Sequence, residues 1–449
     1  MINEGEKPRR RLLLVTSSYA PTMIADMHRA RHLAWELPAL GWDVEILAPG
    51  TAFQRPEYLE PEPQPFFNPD VVCHEVQPRD IRFLRFLGKR SMNWRALWPM
   101  YCAGAKVLEQ KHFDLIYITT AKFNLFCLGR LWRRKFGIPY VLDFHDPWVR
   151  ESSTYKTTRS AWKQRLSRWL ARPMEAFAVR GASGIVSVSP VYVEALRRRH
   201  GALACLRKDH CQSIPFGASE RDLSRPEEGG ELAPTEQRRR LDVVYVGAGG
   251  EIMARSFETI CLCLHELRQT EPALVDSMRL HLYGTDAAWS PGDSKHLHEL
   301  AVKHELGSIV SETPPWMSYS QTMRLLQEAG GLIVLGVDDA AYVPSKLFLY
   351  ALAGKPLLAC LRADSPAPRF FDEMPGLGNL LTFSSRGAVS SSQGSAAVLR
   401  FLREIEEGRG FDRRAMIADH LAAGMGRKHA TLFERICGDD YAHPTGSVS

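Results

Sequence analysis

The sequence predicts an α/β protein of two domains, each built on a doubly wound parallel sheet. Short aliphatic runs alternate with longer helical patterns from one end of the chain to the other. Most of these runs are almost continuously apolar, as parallel strands covered on both faces are. A polar segment, residues 221–240, interrupts the alternation near the middle, and 449 residues suit two such cores.

The predicted strands form two groups of six. The first group comprises residues 12–16, 44–48, 115–119, 140–144, 184–187 and 212–215. The second comprises residues 242–246, 279–283, 308–312, 331–335, 356–361 and 379–382. Helical patterns between the strands give βαβ units, so each half is Rossmann-like. Two such domains facing a cleft would surround one ligand with loops from their carboxyl strand edges.

The predicted domains follow from the polar segment, which is rich in Glu, Gly, Pro and Arg and has little to bury. Residues 1–220 form the first domain, 221–240 the linker and 241–425 the second domain. Residues 426–449 form a terminal helix and tail, and this helix is a candidate to return to the first domain.

Composition excludes several classes of protein. Apolar residues make up 45% and charged residues 24%, and the formal charge is only +6, so nucleic-acid binding is not expected. No apolar run reaches the roughly 18 residues of a spanning helix, and the start does not resemble a signal peptide. The nine cysteines lack zinc-site spacing, so we expect reduced thiols, no metal and a cytoplasmic location.

Several segments resemble family 4 glycosyltransferases. They are the opening strand, loop and helix of residues 12–50, YVLDFHDPW at 140–148, GIVSVSP at 184–190, SIPFG at 213–217, YVGAGG at 245–250 and YVPSKLFLYALAGKPLLA at 342–359. The last segment is the most specific, because it is close to the family's donor-site signature. The likeness covers nearly the whole chain.

That resemblance implies the GT-B fold and a retaining hexosyltransferase-like enzyme that uses a nucleotide-diphosphate sugar without a metal or another cofactor. The chain contains no Asp-x-Asp, which agrees with metal-free transfer. The first domain would bind the acceptor, a lipid-linked sugar or a polysaccharide, and the second the nucleotide sugar. Polysaccharide biosynthesis at the inner face of a membrane is the expected setting.

The predicted donor site combines a turn and a glycine loop. Pro344, Ser345 and Lys346 precede a short apolar helical pattern, where free N–H groups favour an anion. Gly247, Gly249 and Gly250 follow a strand and permit close approach to a phosphate. The alternatives are a solvated lysine beside an ordinary helix and a plain strand-to-helix turn.

The predicted catalytic residues are His145, Asp146, Arg255 and Lys346. His145 and Asp146 follow an apolar strand, where α/β folds collect ligand-binding side chains, and they would contact the transferred sugar or the acceptor hydroxyl. By resemblance, Arg255 would stabilise the departing phosphate after the glycine loop. Asp143 is interpreted as a strand-end hydrogen-bonding residue, and Asp146 alternatively caps a turn.

A basic amphipathic helix is predicted within residues 156–172. Trp162 and Trp169 share one face, and Arg165 is among the cations on the remainder. Such a helix suits an anionic membrane or a lipid-linked acceptor, helped by the basic aromatic stretch at residues 82–98. The alternative is that both tryptophans simply pack on the first domain.

One departure from the family opens a rival hypothesis. The family places Glu in the donor helix to bind the nucleotide ribose, where this chain has Leu349, and Ala341 replaces the acid eight residues earlier. Losing a charge-assisted hydrogen bond costs about 1.5–3 kcal/mol. The rival hypothesis is a non-catalytic GT-B-fold protein that docks a partner or a glycan.

Overall fold

The structure is a computed structural model that describes residues 9–51, 54, 56–61, 66–77, 92–149, 161–224, 241–285, 295–385 and 392–442. Within these ranges it does not describe the side chains of residues 92–94, 161–168 and 439–442. Of the predicted linker, residues 225–240 lie outside the described part.

The described chain divides into two compact units. The first contains the residues up to Phe216 and, in addition, residues 422–442. The second runs from Gly217 to Leu421. The sequence placed this boundary at residue 220, and the terminal helix groups with the first unit.

The described strands of the first unit form a parallel seven-stranded sheet in the order β3-β2-β1-β4-β5-β6-β7. These strands are β1 Arg10–Val15, β2 Trp42–Pro49, β3 Val72–Val76, β4 Leu115–Thr120, β5 Tyr140–Phe144, β6 Gly184–Ser187 and β7 Cys211–Ser213. The register pairs Leu12 with Val44 on one side and with Leu115 on the other. The chain order reverses between β1 and β4, which makes the sheet doubly wound.

The second unit repeats this plan with a parallel six-stranded sheet, in the order β10-β9-β8-β11-β12-β13 among its described strands. These are β8 Asp242–Val246, β9 Arg279–Tyr283, β10 Val310–Thr313, β11 Gly331–Leu335, β12 Leu357–Arg362 and β13 Asn379–Phe383. Here the order reverses between β8 and β11. The predicted pair of Rossmann-like, doubly wound parallel sheets is therefore confirmed.

Helices cover both sheets. Those of the first unit are α1 His28–Glu36, α2 Met92–Gln110, α3 Phe126–Phe136, α4 Ala161–Val179, α5 Pro190–His200 and α14 Ala422–Ala442. Those of the second are α6 Glu220–Leu223, α7 Ala254–Thr270, α8 Pro272–Ser277, α9 His296–Lys303, α10 Tyr319–Glu328, α11 Leu347–Leu352, α12 Arg369–Glu373 and α13 Ser392–Glu406. No helix in the described ranges is long and apolar enough to cross a bilayer.

The sequence missed one strand, the edge strand β3. Its residues, VCHEV, contain only three apolar side chains and are largely exposed, since β3 pairs only with β2 among the described strands. A half-exposed edge strand needs no continuous apolar run, so the criterion that found the buried strands did not detect it.

Helix α14 packs on the first sheet through aromatic residues. The Phe433 ring lies 5.6 Å from Trp42 of β2 and 5.1 Å from Tyr117 of β4. His429, also buried, donates from Nδ1 to the Met425 carbonyl at 2.8 Å and accepts a hydrogen bond from the Tyr117 hydroxyl at 3.1 Å. Burial lowers the pKa of His429 to about 3, which keeps this ring neutral.

Candidate functional site

The two predicted donor loops of the second unit meet at one edge of its sheet. The loop Gly247–Gly250 follows β8, and residues 336–346 follow β11. These strands are neighbours where the order of the sheet reverses. Ligands of doubly wound sheets bind outside the carboxyl ends of strands at this reversal. The topology therefore brings together two loops that lie about a hundred residues apart in the chain.

Gly247 and Lys346 fit each other closely. Gly247 has a φ of 145°, and a Cβ atom added there would lie on the Nζ atom of Lys346. The absence of a side chain at position 247 thus leaves the space that the ammonium fills. This contact explains why position 247 requires a glycine, which the glycine-loop pattern alone did not explain.

The Lys346 ammonium has no counter-charge in the described part of the chain. Its Nζ lies 5.1 Å from the centre of the Tyr245 ring, a cation–π contact. No carboxylate among the described residues forms an ion pair with it. Burial lowers the pKa of Lys346 to about 8, because removal from water disfavours the charged form. Among the described residues, Lys346 is therefore a half-buried cation without an anionic partner.

Two glycines of the loop, Gly247 and Gly249, already use their N–H groups in hydrogen bonds within the protein. The Gly247 N–H donates to the Tyr283 carbonyl at 2.8 Å, and the Gly249 N–H donates to the Thr285 carbonyl at 3.1 Å. A Cβ at Gly249 would come within 2.6 Å of the Thr285 Cβ. Gly250 has a φ of 72° and no atom near its missing side chain.

The turn at Pro344 and Ser345 leads into a helix of only six residues, α11. Pro344 is buried and Ser345 half-buried. The dipole effect of a helix acts within its first turn and is worth 0.3–1 kcal/mol for an exposed charge, as a rough guide. The ammonium of Lys346, rather than the helix terminus, is therefore the main source of positive charge in this turn.

Arg255 lies in the first turn of α7 and is paired. Its Nη1 is 2.6 Å from Asp338 Oδ2 and donates to the Ser385 carbonyl at 2.7 Å. The other oxygen of Asp338 accepts a hydrogen bond from Arg362 at 3.0 Å. Unlike Lys346, Arg255 already has a carboxylate partner, and its role in phosphate departure stays a prediction.

Tyr350 is a supporting residue that the sequence did not reveal. Its buried hydroxyl donates to the Val246 carbonyl at 3.0 Å and accepts from the Val246 N–H at 3.1 Å. The ladder between β8 and β11 covers only two residue pairs, which end at Val244. The Tyr350 hydroxyl thus satisfies backbone groups of β8 beyond that ladder and fixes the residue before Gly247.

In the first unit, Asp143 is the centre of a buried polar network at the end of β5. Its Oδ2 lies 2.8 Å from Arg29 Nε, 2.8 Å from His145 Nε2 and 2.8 Å from the Thr119 hydroxyl, which donates to it. Arg29 also donates to the Ile214 carbonyl at 2.6 Å. The interpretation of Asp143 as a strand-end hydrogen-bonding residue holds, but it understates an ion pair that is fully buried on both sides.

This network fixes His145 and leaves Asp146 on the surface. Burial alone would raise the pKa of Asp143, but the Arg29 guanidinium and His145 hold it well below its usual range. Asp143 is therefore ionised and accepts from His145 Nε2, and Phe216 packs edge-on against the imidazole at 4.9 Å. Asp146 is exposed.

Sequence reasoning missed Arg29. This residue lies four positions before the buried Leu33 in α1 and is itself fully buried. A cation on the apolar side of a helix signals a buried acidic partner, because an unpaired charge there is costly. That signal was present in the sequence, but nothing in it named Asp143 as the partner.

Residues 28–217 match the family model described as glycosyl transferase 4-like domain. This segment runs from α1 to the end of the first unit's sheet and includes the Asp143 network. Within the first unit, residues 28–217 are therefore similar to a glycosyl transferase 4-like domain.

Solved structures show that the whole chain has the GT-B fold. Sucrose-phosphate synthase from Thermosynechococcus elongatus is 16% identical, with a TM-score of 0.56 over 97% of this chain and 99% of that one. HepE from Anabaena, solved with UDP and glucose, is 15% identical, with a TM-score of 0.55 over 95% and 100%. WaaG, a glycosyltransferase involved in lipopolysaccharide biosynthesis, is 12% identical, with a TM-score of 0.54 over 95% and 99%. The search of curated proteins gives no match.

The predicted membrane or acceptor residues lie on α4 of the first unit. Trp169 is 72% exposed, so it does not pack on this domain as the alternative proposed. Trp162 and Arg165 belong to the same helix, but their side chains lie outside the described residues. Of the basic stretch at residues 82–98, only residues 92–98 are described, as part of α2.

The polar residues of the described ranges form no metal centre. No group of three or more His, Cys, Asp or Glu side chains there is arranged to hold an ion. All nine cysteines are free thiols.

Proposed function

We propose that this protein transfers a sugar from a nucleotide-diphosphate sugar to an acceptor hydroxyl. The observation that carries the proposal is the Lys346 ammonium, held in the space that Gly247 leaves, without a carboxylate partner among the described residues. It lies where the order of the second sheet reverses. The GT-B fold and the glycosyl transferase 4-like domain support the same reading.

A bound diphosphate would supply the counter-charge that no described residue provides for Lys346. Burying a cation without an anion is unfavourable, and the lowered pKa of Lys346 expresses that cost. A bound phosphate oxygen would stabilise the ammonium and raise its pKa again. The same contact would strengthen as the sugar leaves and negative charge develops on the diphosphate, which is how a fixed cation accelerates such a step.

The proposed reaction breaks the bond between the anomeric carbon and the diphosphate oxygen. The acceptor oxygen forms the new bond on the same face of the sugar, so configuration is retained, and the departing phosphate takes the acceptor proton. No metal or other cofactor enters this scheme. His145 and Asp146 would bind the transferred sugar or orient the acceptor hydroxyl, and Arg255 would contribute to phosphate departure if its pair with Asp338 opened.

We assign the acceptor to the first unit as a lipid-linked sugar or a polysaccharide. WaaG, with the same fold, is involved in lipopolysaccharide biosynthesis, and the exposed Trp169 suits a lipid-linked acceptor. Nine free thiols agree with a reducing compartment, so we place the enzyme in the cytoplasm at the inner face of a membrane.

The experiment is a binding titration with the diphosphates of uridine, adenosine, guanosine and thymidine, followed by slow hydrolysis of the matching nucleotide sugars. We expect one diphosphate to bind, and Lys346→Ala to weaken that binding at least tenfold because it removes a charge-assisted contact. Lys355→Ala is the matched control, since Lys355 is a half-buried lysine of the same unit whose pKa burial also lowers.

A second pair of variants tests the space around Lys346. Gly247→Ala places a Cβ on the ammonium and should abolish binding, whereas Gly250→Ala adds a Cβ in open space, at a φ of 72° instead of 145°. Both substitutions strain the backbone, at a cost of about 1–3 kcal/mol. Equal loss of binding in the two variants, or no binding of any diphosphate by the unaltered protein, would contradict the proposal.

Leu349 favours a second candidate, a non-catalytic member of the fold. It occupies the third position of α11, half-buried, where the family resemblance leads one to expect a Glu for the ribose. This candidate predicts binding of a partner or glycan without turnover. Leu349→Glu separates the two: tighter nucleotide binding with hydrolysis supports the enzyme, and tighter binding with no hydrolysis of any nucleotide sugar supports the rival.

A further inference from the structure

Three helices of the first unit share one face of its sheet. Helices α2, α3 and α4 each connect two parallel strands, and each connection crosses the sheet in the same direction. Because such connections are right-handed, all three helices lie on the same side. Helix α3 packs against both α2 and α4. Their outward sides therefore form one continuous surface.

Each of these helices presents a large apolar side chain to solvent. Trp98 of α2 is 56% exposed, Trp169 of α4 is 72% exposed and Leu131 of α3 is 36% exposed. Trp98 is held in this position, because its ring stacks on Tyr101 at 5.3 Å, and Tyr101 stacks in turn on the buried Trp132 at 6.5 Å. Tryptophan has an apolar ring system and one N–H donor, which suits the boundary between water and lipid.

The same three helices carry a strong excess of positive charge. Lysine and arginine number two in α2, four in α3 and four in α4, ten in all, against two glutamates. Glu175 is fully buried and paired with Arg199, and Glu109 pairs with Lys135 at 2.6 Å. No free carboxylate of these helices therefore offsets the exposed cations, among which are Lys106, Arg134 and Arg172.

We propose that this surface, which we call the tryptophan face, docks on a bilayer that contains anionic lipids. Its cations would contact the headgroups, and Trp98, Leu131 and Trp169 would enter the interface. A surface for duplex nucleic acid would need the cations but not three separate apolar side chains exposed to water. The proposal builds on the membrane location proposed above and adds the surface and the lipid class, and docking itself requires no nucleotide.

The test is co-sedimentation of the full chain with vesicles, without nucleotide. We expect binding to vesicles of phosphatidylcholine with 30% phosphatidylglycerol, about one anionic lipid in three, and weak binding to phosphatidylcholine alone. The double variant Trp98→Ser/Trp169→Ser and the double variant Arg134→Glu/Arg172→Glu should each lower the partition coefficient roughly tenfold or more. Only the second should also reduce the dependence on salt.

Matched controls come from the second unit. Trp316→Ser alters another exposed tryptophan, and Arg409→Glu/Arg414→Glu reverses two other exposed arginines. These variants should bind vesicles as the unaltered protein does, and thermal unfolding should confirm that every variant folds. Lys346→Ala should also dock normally, which separates this proposal from the proposed function.

Three results would overturn the proposal. The first is no binding to anionic vesicles, and the second is an equal loss in the tryptophan-face variants and the second-unit controls. The third is that single-stranded or duplex nucleic acid displaces the protein from the vesicles, and that Arg134→Glu/Arg172→Glu abolishes this binding to nucleic acid. That last outcome would assign the basic surface to a different class of partner.

Discussion

Lys346 has two states of charge within the pH range in which proteins are handled. Its pKa, lowered to about 8 by burial, means that the free protein loses the ammonium charge as the pH rises through 8. The anion site is therefore fully charged below pH 7 and largely neutral above pH 9. A bound diphosphate, which favours the charged form, must raise this pKa.

We predict that nucleotide-diphosphate affinity falls as the pH rises from 7.5 to 9.5. Each unit of pH above 8 should cost up to tenfold, because binding then requires proton uptake by Lys346. Calorimetry at pH 8.5 in buffers of different ionisation enthalpy measures that uptake directly. In Lys346→Gln the weak residual affinity should no longer depend on pH in this window, and a persisting slope would assign the titration to another group.

The Arg29–Asp143 pair makes a different prediction, which concerns stability. Asp143→Asn keeps the shape of the side chain but leaves the Arg29 charge buried without its carboxylate, which costs about 3–5 kcal/mol when one partner of a buried pair is removed. Urea denaturation measures the loss. Asp43→Asn is the control, since Asp43 and Arg9 form an exposed pair worth about 0–1 kcal/mol.

The same pair makes the protein acid-sensitive. The pKa of Asp143 is lower in the folded state than in the unfolded chain, so its contribution to stability is complete above the unfolded value of about 3.9. That contribution is lost as the pH falls below this value, because Asp143 then becomes protonated in the unfolded chain while it stays ionised in the folded state. Asp143→Asn should remove this part of the acid dependence, and an unchanged acid slope would contradict the assignment.

At the scale of elements, the carboxyl end of β8 depends on a side chain from α11. The ladder from β8 to β11 stops at Val244, and the Tyr350 hydroxyl bonds both backbone groups of Val246. Tyr350 is thus the link between the helix of the Lys346 turn and the strand that ends at Gly247. The Tyr350 hydroxyl therefore holds α11 and the end of β8, which lie on either side of the anion site, in a fixed relative position.

We predict that Tyr350→Phe lowers the free energy of unfolding by about 1–3 kcal/mol, because two buried backbone groups lose their partner. It should also weaken diphosphate binding through a looser Gly247 loop. Denaturation and a nucleotide titration measure the two effects. Tyr101→Phe is the control, since no described residue bonds the Tyr101 hydroxyl, and an equal change in both variants would count against the linking role.

At the scale of the whole molecule, the last helix belongs to the first unit, although the chain reaches it only after the second. Residues buried in α14 contact Trp42 and Tyr117 of the first sheet. Their burial is worth about 1.5–3 kcal/mol for each large apolar side chain. The first unit is therefore incomplete without α14.

We predict that deletion of residues 422–449 destabilises the first unit selectively. Hydrogen exchange should accelerate in β1, β2 and β4, whose buried faces α14 covers, and stay near its original rate in β8 and β11. A shorter deletion of residues 443–449 serves as the control. Equal acceleration of hydrogen exchange in both sheets after the longer deletion would show that α14 does not stabilise the first unit selectively.

Much of the fold could be predicted from the sequence alone. The predicted β5, β6, β8, β9 and β11 match the observed bounds, because strands covered on both faces must be apolar along their whole length. The exposed edge strand β3 could not be found in this way. The doubly wound parallel character of each sheet was also predicted, because strands alternate with helical patterns, whereas the strand order came only from the structure.

The candidate site was predicted only in part. Gly247 and His145 were predicted because they follow strands, where such folds bind ligands, and Lys346 because it precedes a helix in a segment that resembles the family's donor-site signature. Their roles stay predictions. The sequence could not supply Arg29, Thr119 or Tyr350, whose roles depend on contacts between distant segments. It also could not show that Arg255, predicted to stabilise the departing phosphate, pairs with Asp338.

What the sequence determined by itself is the type and order of the elements, and hence the edge of each sheet at which loops collect. Local patterns suffice for this, because periodicity and strand-end chemistry are properties of neighbouring residues. Only the tertiary structure decided which charges are paired. Asp143 pairs with Arg29, Arg255 pairs with Asp338, and Lys346 pairs with no carboxylate in the described chain. These pairings depend on distances across the fold, which separation along the sequence does not determine.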